Sequence, residues 1–226
     1  MVTIVEPGHG EVISDRRERT LLIKVGRPEL VLTWSRYEQG ESGPPPHVHR
    51  QHSDCFHVLE GELTFELGSG GGPLRAGGGA SVLVPPNVIH TFRCEGPDRA
   101  VFLNIHAPGA GFDDYLRALR DGRDDDVARF DSFDPPADGG RPASEAVVSL
   151  GGEGGRVADL AIDAITLVPG AEAELRTFWL VDGRVTIDGG RAVEPGSLAF
   201  VTSDARVTAQ AGDAPVRLVE LVAPAP

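Results

Sequence analysis

Gly43-Pro44-Pro45-Pro46-His47-Val48-His49-Arg50-Gln51-His52-Ser53-Asp54-Cys55-Phe56-His57-Val58-Leu59-Glu60-Gly61 sets two histidines one residue apart and a carboxylate a short turn later. On extended backbone, residues i and i+2 point to the same side, so His47 and His49 face one interior. The same parity places Asp54, Phe56 and Val58 on one face, and Cys55 and His57 on the other. An apolar inward face with a carboxylate at its end is what a metal pocket in a barrel needs. A second segment, residues 79–90, ends in Val84-Pro85-Pro86-Asn87-Val88-Ile89-His90. His90 shares the interior of the first pair only if the sheet closes on itself. Imidazole with carboxylate is a borderline-hard donor set, suited to iron, nickel, manganese or zinc as a divalent ion.

Outward from these segments the chain reads as short strands. Residues 20–25 and 29–37 are β-rich runs, and Gly61 separates the arms of a hairpin over 55–60 and 62–67. Residues 81–84, 90–94 and 100–105 complete a set whose density indicates a barrel or sandwich. One helix is expected where Phe112, Tyr115, Leu116 and Leu119 share a helical face. Asp113 and Asp114 start it, Arg117 and Arg120 close it, and Gly122 can end it. An acidic, then Pro/Gly-rich stretch follows, which marks a domain boundary near residue 140. Beyond it the first half repeats: Phe178-Trp179-Leu180-Val181-Asp182-Gly183 matches Phe56-His57-Val58-Leu59-Glu60-Gly61 in character, and residues 196–201 match 79–84. The expectation is an all-β chain with one short helix between two barrels: residues 1–122, a linker 123–144, and residues 145–226.

The two histidine-bearing segments resemble the two motifs of the cupin family. The resemblance implies jelly-roll barrels and one divalent metal held by His47, His49 and His90, with Asp54 in the place of the usual glutamate. Asp54 is one methylene shorter than that residue. Asn87 stands where glycine is usual, Cys94 where asparagine is frequent, and His57 where an aromatic residue is common. Aligned on Phe178, the ligand places in the second half fall at Pro169, Ala171, Arg176 and Val207, and no histidine follows His106. The C-terminal lobe is therefore expected to be a copy without the metal. The likeness to quercetin-dioxygenase-like cupins implies a dioxygenase acting on a small aromatic or oxygen-rich molecule, with Asp54 as catalytic base. A non-catalytic ligand-binding or sensing cupin, and a metal-assisted isomerase or decarboxylase, fit the same ligands.

With a formal charge of −13, the chain repels phosphate backbones and anionic membranes, so nucleic acid and membrane partners are not expected. Two cysteines, no signal-peptide pattern and no long apolar run point to the cytoplasm. A small-molecule partner and a homodimer are expected. His52 reads as an exposed turn residue, His57 as facing outward or an interface, His106 as structural and His9 as exposed. Cys55 and Cys94 read as free buried thiols. Gly70 to Gly72 read as a hairpin loop, and Asp124-Asp125-Asp126 as a solvated run.

Overall fold

The computed structural model describes residues 2–70, 72–123, 127–150, 154–157, 160–188, 190–201 and 206–223; Gly71 and Asp124-Asp125-Asp126 lie outside them. The chain is all-β, with one α-helix among the described residues, and forms two barrels. In the first, a seven-stranded sheet runs in the order Val147–Ser149, Ser81–Val84, Ser53–Glu60, Ala100–Ala107, Val31–Tyr37, Arg19–Gly26 and Glu11–Asp15. It encloses an apolar interior against a three-stranded sheet of Leu74–Gly77, Glu62–Leu67 and His90–Arg93. Phe56, Val58, Phe65, Phe92 and Phe102 fill that interior. The parity read from the sequence explains the face: Phe56 and Val58 turn inward, while Cys55 belongs to the apolar cluster on the opposite side.

The second barrel pairs a six-stranded sheet (Val2–Val5, Leu198–Val201, Thr177–Asp182, Val216–Val222, Leu160–Leu167, Gly155–Val157) with a four-stranded one. The internal repeat is visible in the register. Phe56 lies opposite Asn104, Phe178 lies opposite Glu220, and both strand pairs carry a bulge towards the hairpin end. Gly61 and Gly183 close the two hairpins with φ of 71° and 89°. A side chain at Gly61 would meet the Arg99 carbonyl oxygen, which is why this place tolerates no larger residue.

The barrels pack through their larger sheets. Leu32, Leu83, Leu103 and Ile105 from one meet Leu160, Ile162, Trp179 and Leu221 from the other in one cluster. Strands also cross the expected 1–122 and 145–226 division in both directions. Val2–Val5 pairs with Leu198–Val201 in the second barrel, and Val147–Ser149 pairs with Ser81–Val84 in the first. Lys24, the chain's only lysine, clamps the crossing segment: its buried ammonium donates to the carbonyls of Glu6 and His9 and lies 5.5 Å from the Trp179 ring. Burial lowers its pKa to about 8.

The helix spans Phe112–Arg120, starts after Gly111 and ends where Gly122 turns left-handed at φ 64°. Backbone N–H groups of Gly122 and Arg123 return to the carbonyls of Leu119 and Ala118, which satisfies the last turn. Both cysteines are free and buried.

His57 is buried opposite Leu103 on the face between the barrels, 2.9 Å from the Ser81 hydroxyl. Burial depresses its pKa from 6.5 to about 4. The unfolded chain therefore takes up this proton first, and stability falls as pH drops from about 6.5 to about 4. Denaturant titrations across that window should show an acid limb steeper in the wild type than in His57→Gln, by on the order of 3 kcal/mol in total. Parallel limbs would refute the assignment.

Candidate functional site

Three short elements bring the histidines together. His47 and His90 face each other through a pair of backbone hydrogen bonds, N–H of each to the carbonyl of the other at 3.1 and 3.0 Å. His49 follows His47 on the same side, as the spacing requires. Asn87 makes the turn before His90 with φ 67°, a conformation that Asn tolerates better than most residues. The turn is tied down because the Asn87 N–H donates to the His49 carbonyl.

Each of these rings is held by the same device. Nδ1 of His47 lies 3.0 Å from the Pro45 carbonyl, Nδ1 of His90 lies 3.0 Å from the Val88 carbonyl, and Nδ1 of His49 lies 2.8 Å from the Asp131 carbonyl. A carbonyl only accepts, so each Nδ1 carries the proton and each Nε2 presents a lone pair. Nε2 of His49 and of His90 is buried and makes no hydrogen bond. Buried polar atoms are normally satisfied, so two lone pairs aimed at one point fit an electrophile such as a cation. One ring nitrogen from each of His47, His49 and His90 lies within 4.8 Å of the others. The rings splay at interplanar angles of 81°, 48° and 55°, so their lone pairs converge from different directions.

Asp54 opens onto the same point. One carboxylate oxygen lies 3.4 Å from Nε2 of His90 and 4.0 Å from Nε2 of His49. The other accepts from the Asn104 amide and lies 3.6 Å from Nε2 of His106. Burial pushes its pKa up, but the adjacent His106 and His90 outweigh that, and the group is held below the usual range. Burial, followed by neighbouring imidazoles, drives His47 down to about 4 and His49 well below its ordinary value. At neutral pH His47 and His49 are therefore neutral and Asp54 is ionised, a donor set for a cation.

His52, expected in an exposed turn, is 1% exposed. Its Nδ1 lies 2.8 Å from the Asp131 carboxylate and its Nε2 lies 2.8 Å from Nδ1 of His106. Nε2 of His106 contacts Asn104 Oδ1 at 2.9 Å, and the Asn104 amide reaches Asp54. The reason for the difference lies in the segment read as a linker: Asp131 folds back onto the turn 50–52 and His52 is buried beneath it, while Arg50 and Gln51 stay exposed. His49, His52 and His106 form a second trio within the same distance. The His49 and His52 rings, however, stack at 3.9 Å and 29°. Their in-plane lone pairs run side by side, so this trio supports the first. Asp131 and Asn104 were not legible as site residues. The one available signal was Phe130-Asp131-Ser132-Phe133, two aromatic residues inside an otherwise Pro/Gly-rich and acidic stretch.

Above the histidines opens a cavity of about 630 Å³. Tyr37, Phe92, Phe102, Phe112 and Tyr115 line it with aromatic surface, and His47, His49, Asp54 and His106 line its polar part. The helix is one wall, anchored where Phe112 stacks on His106 at 3.5 Å. His57 lies on the opposite sheet face, and His9 is exposed. The second barrel has no equivalent histidines. Val207 stands fully buried among Leu175, Phe178 and Leu180, so apolar side chains fill that interior.

Residues 33–106, which contain the three convergent histidines, match the family model described as a Cupin domain. The N-terminal barrel therefore carries a cupin domain. A bacterial pirin of Escherichia coli, YhhW, solved in complex with nickel(II), aligns over 100% of both chains with 13% identity and a TM-score of 0.66. Protein Ylba of Escherichia coli aligns over 99% of this chain and 90% of its own, with 14% identity and a TM-score of 0.67. AerE of Microcystis aeruginosa aligns over 98% and 99%, with 10% identity and a TM-score of 0.64. At these identities the likeness is one of fold. No curated protein matches the sequence.

Substitution separates the members of the site. His49→Ala and His90→Ala should each abolish metal retention by elemental analysis. Asp54→Asn, which keeps the shape, should bind metal roughly 10- to 100-fold more weakly. Full retention in His90→Ala would refute the histidine site.

Proposed function

We propose that the N-terminal barrel binds one divalent transition metal through His47, His49 and His90, with Asp54 beside it. We further propose that the chain is a dioxygenase acting on a small aromatic or oxygen-rich molecule. The observation that carries this is the pair of buried, unpartnered Nε2 atoms on rings whose tautomer is already set. Nickel(II) in a bacterial pirin of the same fold supports a divalent metal. When bound, the metal supplies Lewis acidity towards a substrate oxygen and a redox partner for dioxygen.

The chain's own residues orient the substrate and exclude water. The aromatic walls suit a flat apolar body, and a cavity of about 630 Å³ falls in the range of small-molecule sites. Asp54 faces the position where a substrate hydroxyl would meet the histidines. Its lowered pKa makes it a weak base, so it accepts a proton only from a hydroxyl that the cation has acidified. Asn104 and His106 hold its other oxygen and stop it from turning away.

Oxygen consumption against a panel of flavonols and catechols, with the protein loaded in turn with iron, nickel, manganese and cobalt, tests this. At least one metal should support turnover that His90→Ala lacks. Saturable binding without oxygen uptake would favour a ligand-binding cupin instead. Product formation under anaerobic conditions would favour an isomerase or decarboxylase.

A further inference from the structure

Asp131 belongs to no motif and comes from the segment between the barrels, yet three separate contacts join it to the histidine site. Its carbonyl oxygen holds Nδ1–H of His49 at 2.8 Å. Its carboxylate accepts backbone N–H groups from Arg50 at 3.1 Å, Gln51 at 2.7 Å and His52 at 3.2 Å. These three donors make up the turn that carries the chain from His49 to Asp54. The same carboxylate lies 2.8 Å from His52 Nδ1, where the contacts through His106 and Asn104 to Asp54 begin.

We infer that Asp131 is the positioning residue of the histidine site, setting the His49 ring through its carbonyl and the Asp54 carboxylate through its side chain. Its backbone is left-handed, φ 57°, and in that conformation carbonyl and carboxylate both face residues 49–52. Non-glycine residues adopt this region infrequently, and then mostly for a local reason. Neighbouring pairing keeps the segment in place: Val48 and Phe133 exchange backbone hydrogen bonds at 3.0 Å each, and the Arg50 guanidinium covers the Phe133 ring at 3.8 Å. Asp131 is not among the residues that line the cavity above the histidines, so it acts through the residues it holds.

The inference rests on the proposed metal reading and is tested by two readouts. The first is cobalt(II) affinity and its visible absorption spectrum in wild type, Asp131→Asn and His52→Gln. Asp131→Asn keeps the backbone carbonyl and the size of the side chain. It should weaken cobalt binding about 10- to 100-fold, the usual consequence of losing an outer hydrogen-bond partner, and shift the spectrum. A role in stability alone would lower the melting temperature and leave the spectrum unmoved. The second is the ring ¹⁵N spectrum of the metal-free protein, in which Asp131→Asn should move the His52 and His106 signals and leave His47 in its Nδ1–H tautomer. Wild-type cobalt affinity and spectrum in Asp131→Asn would overturn the inference, as would unmoved His52 and His106 signals. If the wild type takes up no cobalt, the metal reading fails, and the ¹⁵N spectra still decide the role of Asp131. If Asp131→Asn does not fold, His52→Gln, which leaves the carboxylate on its backbone donors, must show the weakened cobalt site. An unchanged one would overturn the inference.

Discussion

A neutral imidazole has one N–H and one lone pair, and whatever takes the N–H decides where the lone pair points. In this barrel three backbone carbonyls take it, at Pro45, Val88 and Asp131. That constraint turns three histidines from polar residues in a core into a set of donors aimed at one place. Two of the lone pairs have no acceptor role to fill inside the protein, and both are sealed from water. The tautomers, the convergence and the burial depend on one another. Loosening any carbonyl would let a ring flip and satisfy itself elsewhere.

Electrostatics reinforces the arrangement. Imidazoles packed this closely repel one another when protonated, and burial removes the water that would screen them. The result is that His47 and His49 are neutral at ordinary pH, with the ionised Asp54 carboxylate facing them. A cation entering such a site replaces repulsion with coordination. The second barrel resolves the same interior differently. Val207 lies in an apolar interior at the place of His90, Arg176 stands at the place of Asp54, and Glu220, opposite Phe178 where Asn104 stands opposite Phe56, accepts the Arg176 backbone N–H. Its large sheet covers that of the first barrel, and exchanged strands at 2–5 and 147–149 bind the two together.

Much of this was legible from local pattern. Strand alternation placed Phe56 and Val58 inward with Asp54 at the strand's start, and the spacing of His47 and His49 put them on one side. The repeat around Gly61 and Gly183 announced two barrels, and the shared face of Phe112, Tyr115, Leu116 and Leu119 announced the helix. Each of these follows from a period of two or of 3.6 acting over a few residues. The burial of His52 was not legible, because nothing within the turn itself shows that residues some 80 positions later cover it.

The three carbonyls divide along the same line. Pro45 and Val88 each lie two residues before the histidine they hold, so those two bonds are local to the Pro-rich turns that the sequence shows. Asp131 lies 82 residues beyond His49, in a stretch whose composition reads as a connector. Only the tertiary structure decided that this connector returns to the site. A hydrogen bond between distant segments depends on how the barrels dock and where the chain between them must run, and no local period records that path.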